Sequence, residues 1–252
     1  MLNDEQLLRY SRQIMLPEVE ISGQEAWLNA SVLIVGVGGL GSPVAMYLAA
    51  AGVGRLVLVD DDRVELTNLQ RQIVHTTAMV GQSKVASAKA ALQALNPDVE
   101  IVTIERRLAD DELAQQVAAV DLVLDCTDNF TTRFAINAAC VKYRKPLVSG
   151  AAIRLEGQVA VFDPRDDASP CYRCLYREGS DENLTCSESG VLAPLVGIIG
   201  SVQAMEALKV LAAVGTPLVG KLLLLDGRYM EWRSLKLRRD PECPCCKQKQ
   251  EK

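Results

Sequence analysis

The sequence predicts a doubly wound α/β fold, and three observations carry that prediction. Short apolar runs alternate with helix-forming stretches through the first 150 residues, as they do in a parallel sheet covered by helices on both faces. The first run, Val32-Leu33-Ile34-Val35, leads into Gly36-Val37-Gly38-Gly39-Leu40-Gly41 and then into a helical stretch. Glycines there let the backbone turn tightly and admit a phosphate to the amides of a helix start. Beyond Gly150 the strand-like segments follow one another with a single long apolar helix among them, a pattern that calls for antiparallel strands.

Taken in order, Asn3 to Leu28 read as two short helices, with Ser22-Gly23-Gln24-Glu25 at the spacing of a capping box. Apolar, β-branched runs predict strands at Val32–Val35, Arg55–Asp60, Glu100–Ile104, Asp121–Asp125 and Pro146–Ser149. Helices fall between them at Ser42–Ala51, Gln82–Leu95, Asp110–Val117 and Thr131–Tyr143. After Gly150, Ile153–Phe162, Leu222–Asp226 and Glu231–Leu237 read as antiparallel strands packed by a helix from Leu195 to Val214. The segment from Asp163 to Gly190 is long, polar and holds three cysteines; loops of that length are functional or tied down. The expected architecture is a Rossmann-like doubly wound sheet, parallel in the N-terminal part with antiparallel strands added in the C-terminal part. It forms one domain over residues 1–252, divided into N-terminal helices (1–30), a nucleotide-binding part (31–150) and a C-terminal part (151–252).

Bulk properties exclude several function classes. A chain of 252 residues with 49% hydrophobic content can bury one large core. A net charge of −5 argues against nucleic acid as a partner, which would call for a basic face. The opening Met1-Leu2-Asn3-Asp4-Glu5 does not look like a signal peptide. Val32 to Gly54 is an uncharged run of 23 residues, but its six glycines and proline fit a strand–loop–helix unit and not a membrane span. Eight cysteines are then expected to be reduced in a cytoplasmic setting, so metal or thiol chemistry outranks disulfides. The single histidine, His75, leaves no Ser-His-Asp or multi-histidine metal site and is expected to be structural.

The nucleotide signal sharpens beyond the glycine loop. Asp60 ends the second strand, nineteen residues after Gly41, where a carboxylate can hold ribose hydroxyls. Arg71, within Asn68-Leu69-Gln70-Arg71-Gln72, and Lys84 follow it; hydride transfer has little need of those cations, whereas a β,γ-phosphate tail does. A solvated helix face is the competing reading of Lys84. Asp128 follows the fourth predicted strand, at the sheet edge where ligands bind. Its carboxylate suits Mg²⁺ riding on phosphate oxygens and is also a candidate N-cap for the next helix.

Two thiol pairs give the metal signal. Cys171-x-x-Cys174 and Cys243-x-x-Cys246 can complete a closed tetrahedral zinc site, structural because no position stays open for substrate. The ion would pin the C-terminus onto the long loop across a gap of 68 residues. Cys245 offers an alternative fourth ligand, although spacing favours Cys246. Cys126 and Cys140 lie in an apolar strand and helix and are expected in the core.

These motifs, with Arg9-Tyr10-Ser11-Arg12-Gln13, Asp125-Cys126-Thr127-Asp128-Asn129 and Cys171-Tyr172-Arg173-Cys174, resemble the bacterial members of the ubiquitin-activating (E1-like) superfamily. Those are adenylyltransferases that activate small sulfur-carrier proteins, and the resemblance runs nearly the whole length. It implies ATP and Mg²⁺ as cofactors, a structural Zn²⁺, a homodimer, and a ubiquitin-like sulfur-carrier partner ending in Gly-Gly. By the same resemblance Gly36, Gly38, Gly39, Gly41, Asp60, Asn68, Arg71, Lys84, Thr127 and Asp128 hold the nucleotide. Asp128 is the magnesium-linked catalytic residue, and Arg12 reaches the triphosphate of the other subunit. Cys186 matches a thioester- or persulfide-forming cysteine; an exposed spectator thiol is the alternative.

The implied reaction is attack by a carrier's C-terminal glycine carboxylate on the α-phosphate of ATP. That nucleophile, with a pKa of about 3.5, is already ionised and needs no general base, which fits a chain with one histidine. Within the family, Ser149 to Gln158 and Ser189 to Pro194 look like the molybdenum-cofactor branch, whereas Trp232 to Arg239 look more like the thiamine branch. A branch that cyclises a tRNA base would call for the basic face this chain lacks. From other classes, an NAD-dependent oxidoreductase leaves Arg71, Lys84 and the cysteine pairs unused, and a zinc-stapled, non-catalytic carrier-binding scaffold would show no ATP turnover.

Overall fold

The computed structural model describes residues 2–177 and 189–247. Eight strands form one sheet in the order β3-β2-β1-β4-β5-β6-β7-β8. The first five, β1 (Ser31–Val35), β2 (Arg55–Val59), β3 (Glu100–Ile104), β4 (Leu122–Asp125) and β5 (Leu147–Ile153), run parallel. Then β6 (Glu156–Phe162), β7 (Lys221–Asp226) and β8 (Glu231–Lys236) are added antiparallel. The sheet is therefore continuous from the nucleotide motifs into the C-terminal part.

Alternation along the strands loads both faces. Val32, Ile34, Leu56, Leu58, Leu122 and Leu124 join one core cluster, while Leu33, Val35, Val57, Val59 and Val123 join the other. Side chains on a strand point alternately to opposite faces, so unbroken apolar runs are what a sheet buried on both sides demands. On the first face lie α4 (Gly41–Ala51), α5 (Lys84–Leu95) and α9 (Ala193–Ala212); on the second lie α6 (Asp110–Ala118) and α7 (Phe130–Tyr143). Among the described residues α9 alone is long and apolar enough to cross a membrane. Its contacts with α4, β5 and β6 account for that apolarity.

The N-terminal region departs from the sequence reading. It holds three helices, α1 (Asp4–Arg9), α2 (Ser11–Ile14) and α3 (Glu20–Asn29). The capping box belongs to Asn3 and Gln6. Ser22 instead sits inside α3, its hydroxyl turned back to the Val19 carbonyl at 3.5 Å. The fifth strand also runs past its predicted end at Ser149, because Gly150, Ala151 and Ala152 continue it despite low β-propensity. Packing explains this: a side chain on Gly150 would lie 2.2 Å from Oε1 of the buried Gln203 on α9. Ile153 therefore ends β5, and the Arg154-Leu155 turn, with Arg154 at φ +53°, leads into β6.

Candidate active site

Strand order reverses at β1, which lies between β2 and β4. The loops leaving β1 and β4 diverge there and open a crevice at the carboxyl ends of the strands. A cleft of about 550 Å³ occupies this position. One half is walled by Gly36, Gly38, Gly39, Asp60, Arg71 and Lys84; the other by Thr127, Asp128, Arg133, Gln158, Tyr172 and Leu224. The sheet thus brings the glycine loop, the acid of β2, both cations and the β4 loop into one space.

The glycine loop is shaped by close contacts. Gly36 has φ +90°, and a side chain on Gly41 would fall 2.0 Å from the Gly36 carbonyl oxygen. Gly41 therefore closes the loop at the start of α4 and does not line the cleft. Asp60 accepts the Val37 amide at 2.7 Å and the Asp62 amide at 2.9 Å, so its carboxylate also fixes the loop it faces. Lys84 is buried, with 5% exposure, and its ammonium lies 2.7 Å from Asp62. Burial removes the solvated-face reading of this lysine. Arg71 donates to the Thr67 carbonyl and to Oδ1 of Asn68 at 3.0 Å. Asn68 is outside the cleft lining and acts on Arg71. Asp60, Asp61 and Asp62 cluster closely enough for a metal. Each is already engaged: Asp60 by backbone amides, Asp61 by Arg107 at 3.6 Å and Asp62 by Lys84.

The β4 loop is built around a buried carboxylate. Asp125, 1% exposed, accepts the Thr127 amide and hydroxyl at 3.0 and 2.7 Å and the Ser149 hydroxyl at 2.8 Å. Thr127 therefore spends its hydroxyl on holding the loop. Asn129 caps α7 by accepting the Thr132 amide at 2.9 Å. The cap role thus falls to the next residue, and the exposed Asp128 lines the cleft with its carboxylate free of capping. That placement fits a divalent cation shared with phosphate oxygens.

Arg133 is a site residue that the sequence reading missed. It is 7% exposed, donates to the Thr127 and Gly150 carbonyls, and lies 3.8 Å from Asp125. Burial opposes its charge, but Asp125, Tyr172 and Tyr176 together more than offset this and the pKa is raised. The available signal was spacing: Asn129, Arg133 and Asn137 recur every four residues on an otherwise apolar helix, which puts three polar groups on one face. Gln72 is a second omission. It lines the cleft beside Gly38, is 5% exposed, and its Oε1 has no hydrogen-bond partner among the described residues.

The four cysteines converge. The Sγ atoms of Cys171, Cys174, Cys243 and Cys246 lie within 4.8 Å of one another, with individual separations of 3.9, 3.6 and 3.6 Å. Tetrahedral ligands about 2.3 Å from zinc stand roughly 3.8 Å apart, so the thiols fit that ion. Cys245 packs against the cluster beside Cys171 and also accepts a hydrogen bond from Asn137 Nδ2 at 3.2 Å. The close group of four takes in Cys246 and not Cys245. Cys126 and Cys140 are buried core thiols, and burial pushes both pKa values up. Arg12 is exposed on α2 and lines no part of its own chain's cleft. Its neighbours anchor it: Tyr10 is buried and accepts Asn96 Nδ2 at 2.9 Å, and Gln13 donates to Gln24 at 2.7 Å. Cys186 lies outside the described residues.

His75 is structural. It is 5% exposed, with Nε2 3.0 Å from the Val37 carbonyl and Nδ1 3.0 Å from Ser87 Oγ. A carbonyl only accepts, so Nε2 carries the proton and the ring ties the glycine loop to α5. Burial lowers its pKa, opposed by the Val37 hydrogen bond and helped by Lys84. A lowered pKa means the neutral ring stabilises the fold above the unfolded value of about 6.5. That contribution should fall away as pH drops below about 6.5, with a slope of at most about 1.4 kcal/mol per pH unit. Denaturant midpoints of parent and His75→Gln between pH 5 and 7.5 test this. The parent should lose more stability on the acid side, and parallel curves would refute the assignment.

Fold and cleft together define an α/β protein of the nucleotide-binding class whose C-terminal part meets the segment after β6 at four converging cysteines. The ThiF family model matches residues 10–245, and the chain belongs to that family. It is 52% identical to the molybdopterin-synthase adenylyltransferase of Escherichia coli (strain K12), covering 98% of this chain and 99% of that one. Identity to the sulfur carrier protein ThiS adenylyltransferase of the same organism is 46%, covering 97% of each chain. A solved structure of E. coli MccB with ATP superposes with a TM-score of 0.83 at 24% identity, covering 95% of this chain and 74% of that one; at that identity the likeness speaks for the fold. Family membership displaces the oxidoreductase reading.

Proposed function

We propose that the chain is an ATP-dependent adenylyltransferase acting on the C-terminal glycine carboxylate of a small ubiquitin-like sulfur carrier in molybdenum cofactor biosynthesis. The observation that carries this is a cleft joining glycine loop, buried lysine and free Asp128, in a chain 52% identical to a molybdopterin-synthase adenylyltransferase. A carboxylate oxygen of the carrier attacks the α-phosphorus; the new acyl–phosphate bond forms as the bond to the β-phosphate breaks and pyrophosphate leaves. No proton moves, which suits a site whose only histidine is buried and tied to backbone.

The obstacle is repulsion between an anionic nucleophile and a polyanionic tail. Lys84, steered by Asp62, and Arg71, steered by Asn68, present fixed positive charge to the phosphates and align the leaving group. Amides of the glycine loop add partial positive charge at the start of α4. Bound Mg²⁺, held by Asp128, would neutralise phosphate charge. Arg133 holds the Thr127 and Gly150 carbonyls and so keeps Asp128 at the edge of the cleft. The working unit is a homodimer in which Arg12 completes the partner's site. Leu8, Met15, Leu16 and Ile21, all exposed on or beside the N-terminal helices, are the kind of apolar surface a second subunit covers. The carrier ends in Gly-Gly, and the thiols imply a cytoplasmic setting.

ATP–pyrophosphate exchange with each candidate carrier is the test. Exchange should appear with the molybdenum-cofactor carrier and be much weaker with the thiamine-pathway carrier. A reversed preference would move the chain to the thiamine pathway, and no exchange with either would remove the reading.

A further inference from the structure

Tyr172 has two memberships. It lies between the ligands Cys171 and Cys174, and it lines the half of the cleft away from the glycine loop. Its ring is packed by Phe134, Phe162 and Tyr176 at centroid distances of 5.6, 5.9 and 4.9 Å. Its hydroxyl is buried beside the Arg133 guanidinium.

Asn137, on α7 and 1% exposed, joins both cysteine pairs to that tyrosine. Oδ1 accepts the Tyr172 amide at 2.8 Å, and Nδ2 donates to Cys245, between Cys243 and Cys246, at 3.2 Å. One turn earlier on the same helix face, Arg133 holds the Thr127 and Gly150 carbonyls. A single helix thus touches the metal knuckles, the tyrosine wall and the β4 loop, whereas the glycine loop, Asp60 and Lys84 lie on other elements. Side chains that orient a metal's surroundings change affinity and geometry when removed.

We propose that Asn137 is a positioning residue that locks Tyr172 to the metal knuckles, so that the tetracysteine site governs binding of the carboxylate-bearing carrier and leaves ATP binding alone. This rests on the adenylation reading of the cleft.

The test uses zinc-loaded Asn137→Ala. The KM for a sulfur carrier ending in Gly-Gly should rise about tenfold, and zinc should pass to a chromogenic chelator about tenfold faster. ATP affinity by calorimetry should stay within twofold. A carrier KM within twofold of the parent, or a parallel loss of ATP affinity, overturns the proposal. Asn137→Asp keeps the acceptor for the Tyr172 amide and loses the donor to Cys245. It should release zinc faster and raise the carrier KM more than threefold, and it decides the matter where the alanine variant does not fold: unchanged zinc release or an unchanged carrier KM overturns the link. Should the parent itself show no carrier-dependent exchange, the adenylation reading fails, while zinc release still tests the link on its own.

Discussion

Asp128→Ala should abolish carrier-dependent pyrophosphate exchange, with a loss on the order of 100-fold or more, while the thermal midpoint stays near the parent's. The carboxylate stands at the carboxyl end of β4, exposed to the cleft, and Asn129 carries the cap of α7. Truncation therefore removes a charge that only a bound cation and phosphate use. Retention of activity within threefold would sink the assignment. The same variant reports on the dimer when mixed with Arg12→Ala protein. Arg12 points into no part of its own cleft; acting across a two-fold interface, it leaves one intact site in each mixed dimer. Partial recovery is the expected result, and a dead mixture with verified subunit exchange would place Arg12 elsewhere.

Cys174→Ser should cost the protein its zinc and much of its stability, with chemistry failing only as a consequence. Structural zinc is worth on the order of 10 kcal/mol in zinc-finger peptides. A chain of this length shifts by roughly 2–4 °C per kcal/mol, so a fall of about 10 °C or more is expected even where much of that energy is recovered. Four Sγ atoms this close would fill the positions of a tetrahedral ion and leave none for substrate. Metal analysis should give about one zinc per parent chain and almost none in the variant. A stable, active, metal-free variant would take the ion out of the account.

Much of this was legible in the sequence because local chemistry dictated it. The strands of the parallel half are buried on both faces, so their apolar runs are unbroken and easily read. The two cysteine pairs converge where spacing placed them, with Cys246 and not Cys245 in the close group of four. The misses share a cause. Gly150 to Ala152 carry no strand signal, and the missing side chain of Gly150 answers to Gln203, 53 residues further along the chain. Ser22, inside α3, looked like a cap because a four-residue spacing says nothing of where a helix begins. Arg133 and Asn137 passed as polar residues on a helix; only the folded sheet shows that they face inward, toward carbonyls and a thiol.

The continuous eight-stranded sheet has a consequence for how two substrates meet. Enzymes that join a nucleotide to a second reactant commonly close one lobe over another, and a hinge sets the final approach. Here the nucleotide wall and the opposing wall grow from neighbouring strands of one sheet, with α9 packed across β5 and β6. Among the described residues no hinge separates them. This frame is a ruler and not a jaw: the spacing between its two walls is set at folding, and a partner tail one residue too long or too short should be misplaced against the nucleotide wall.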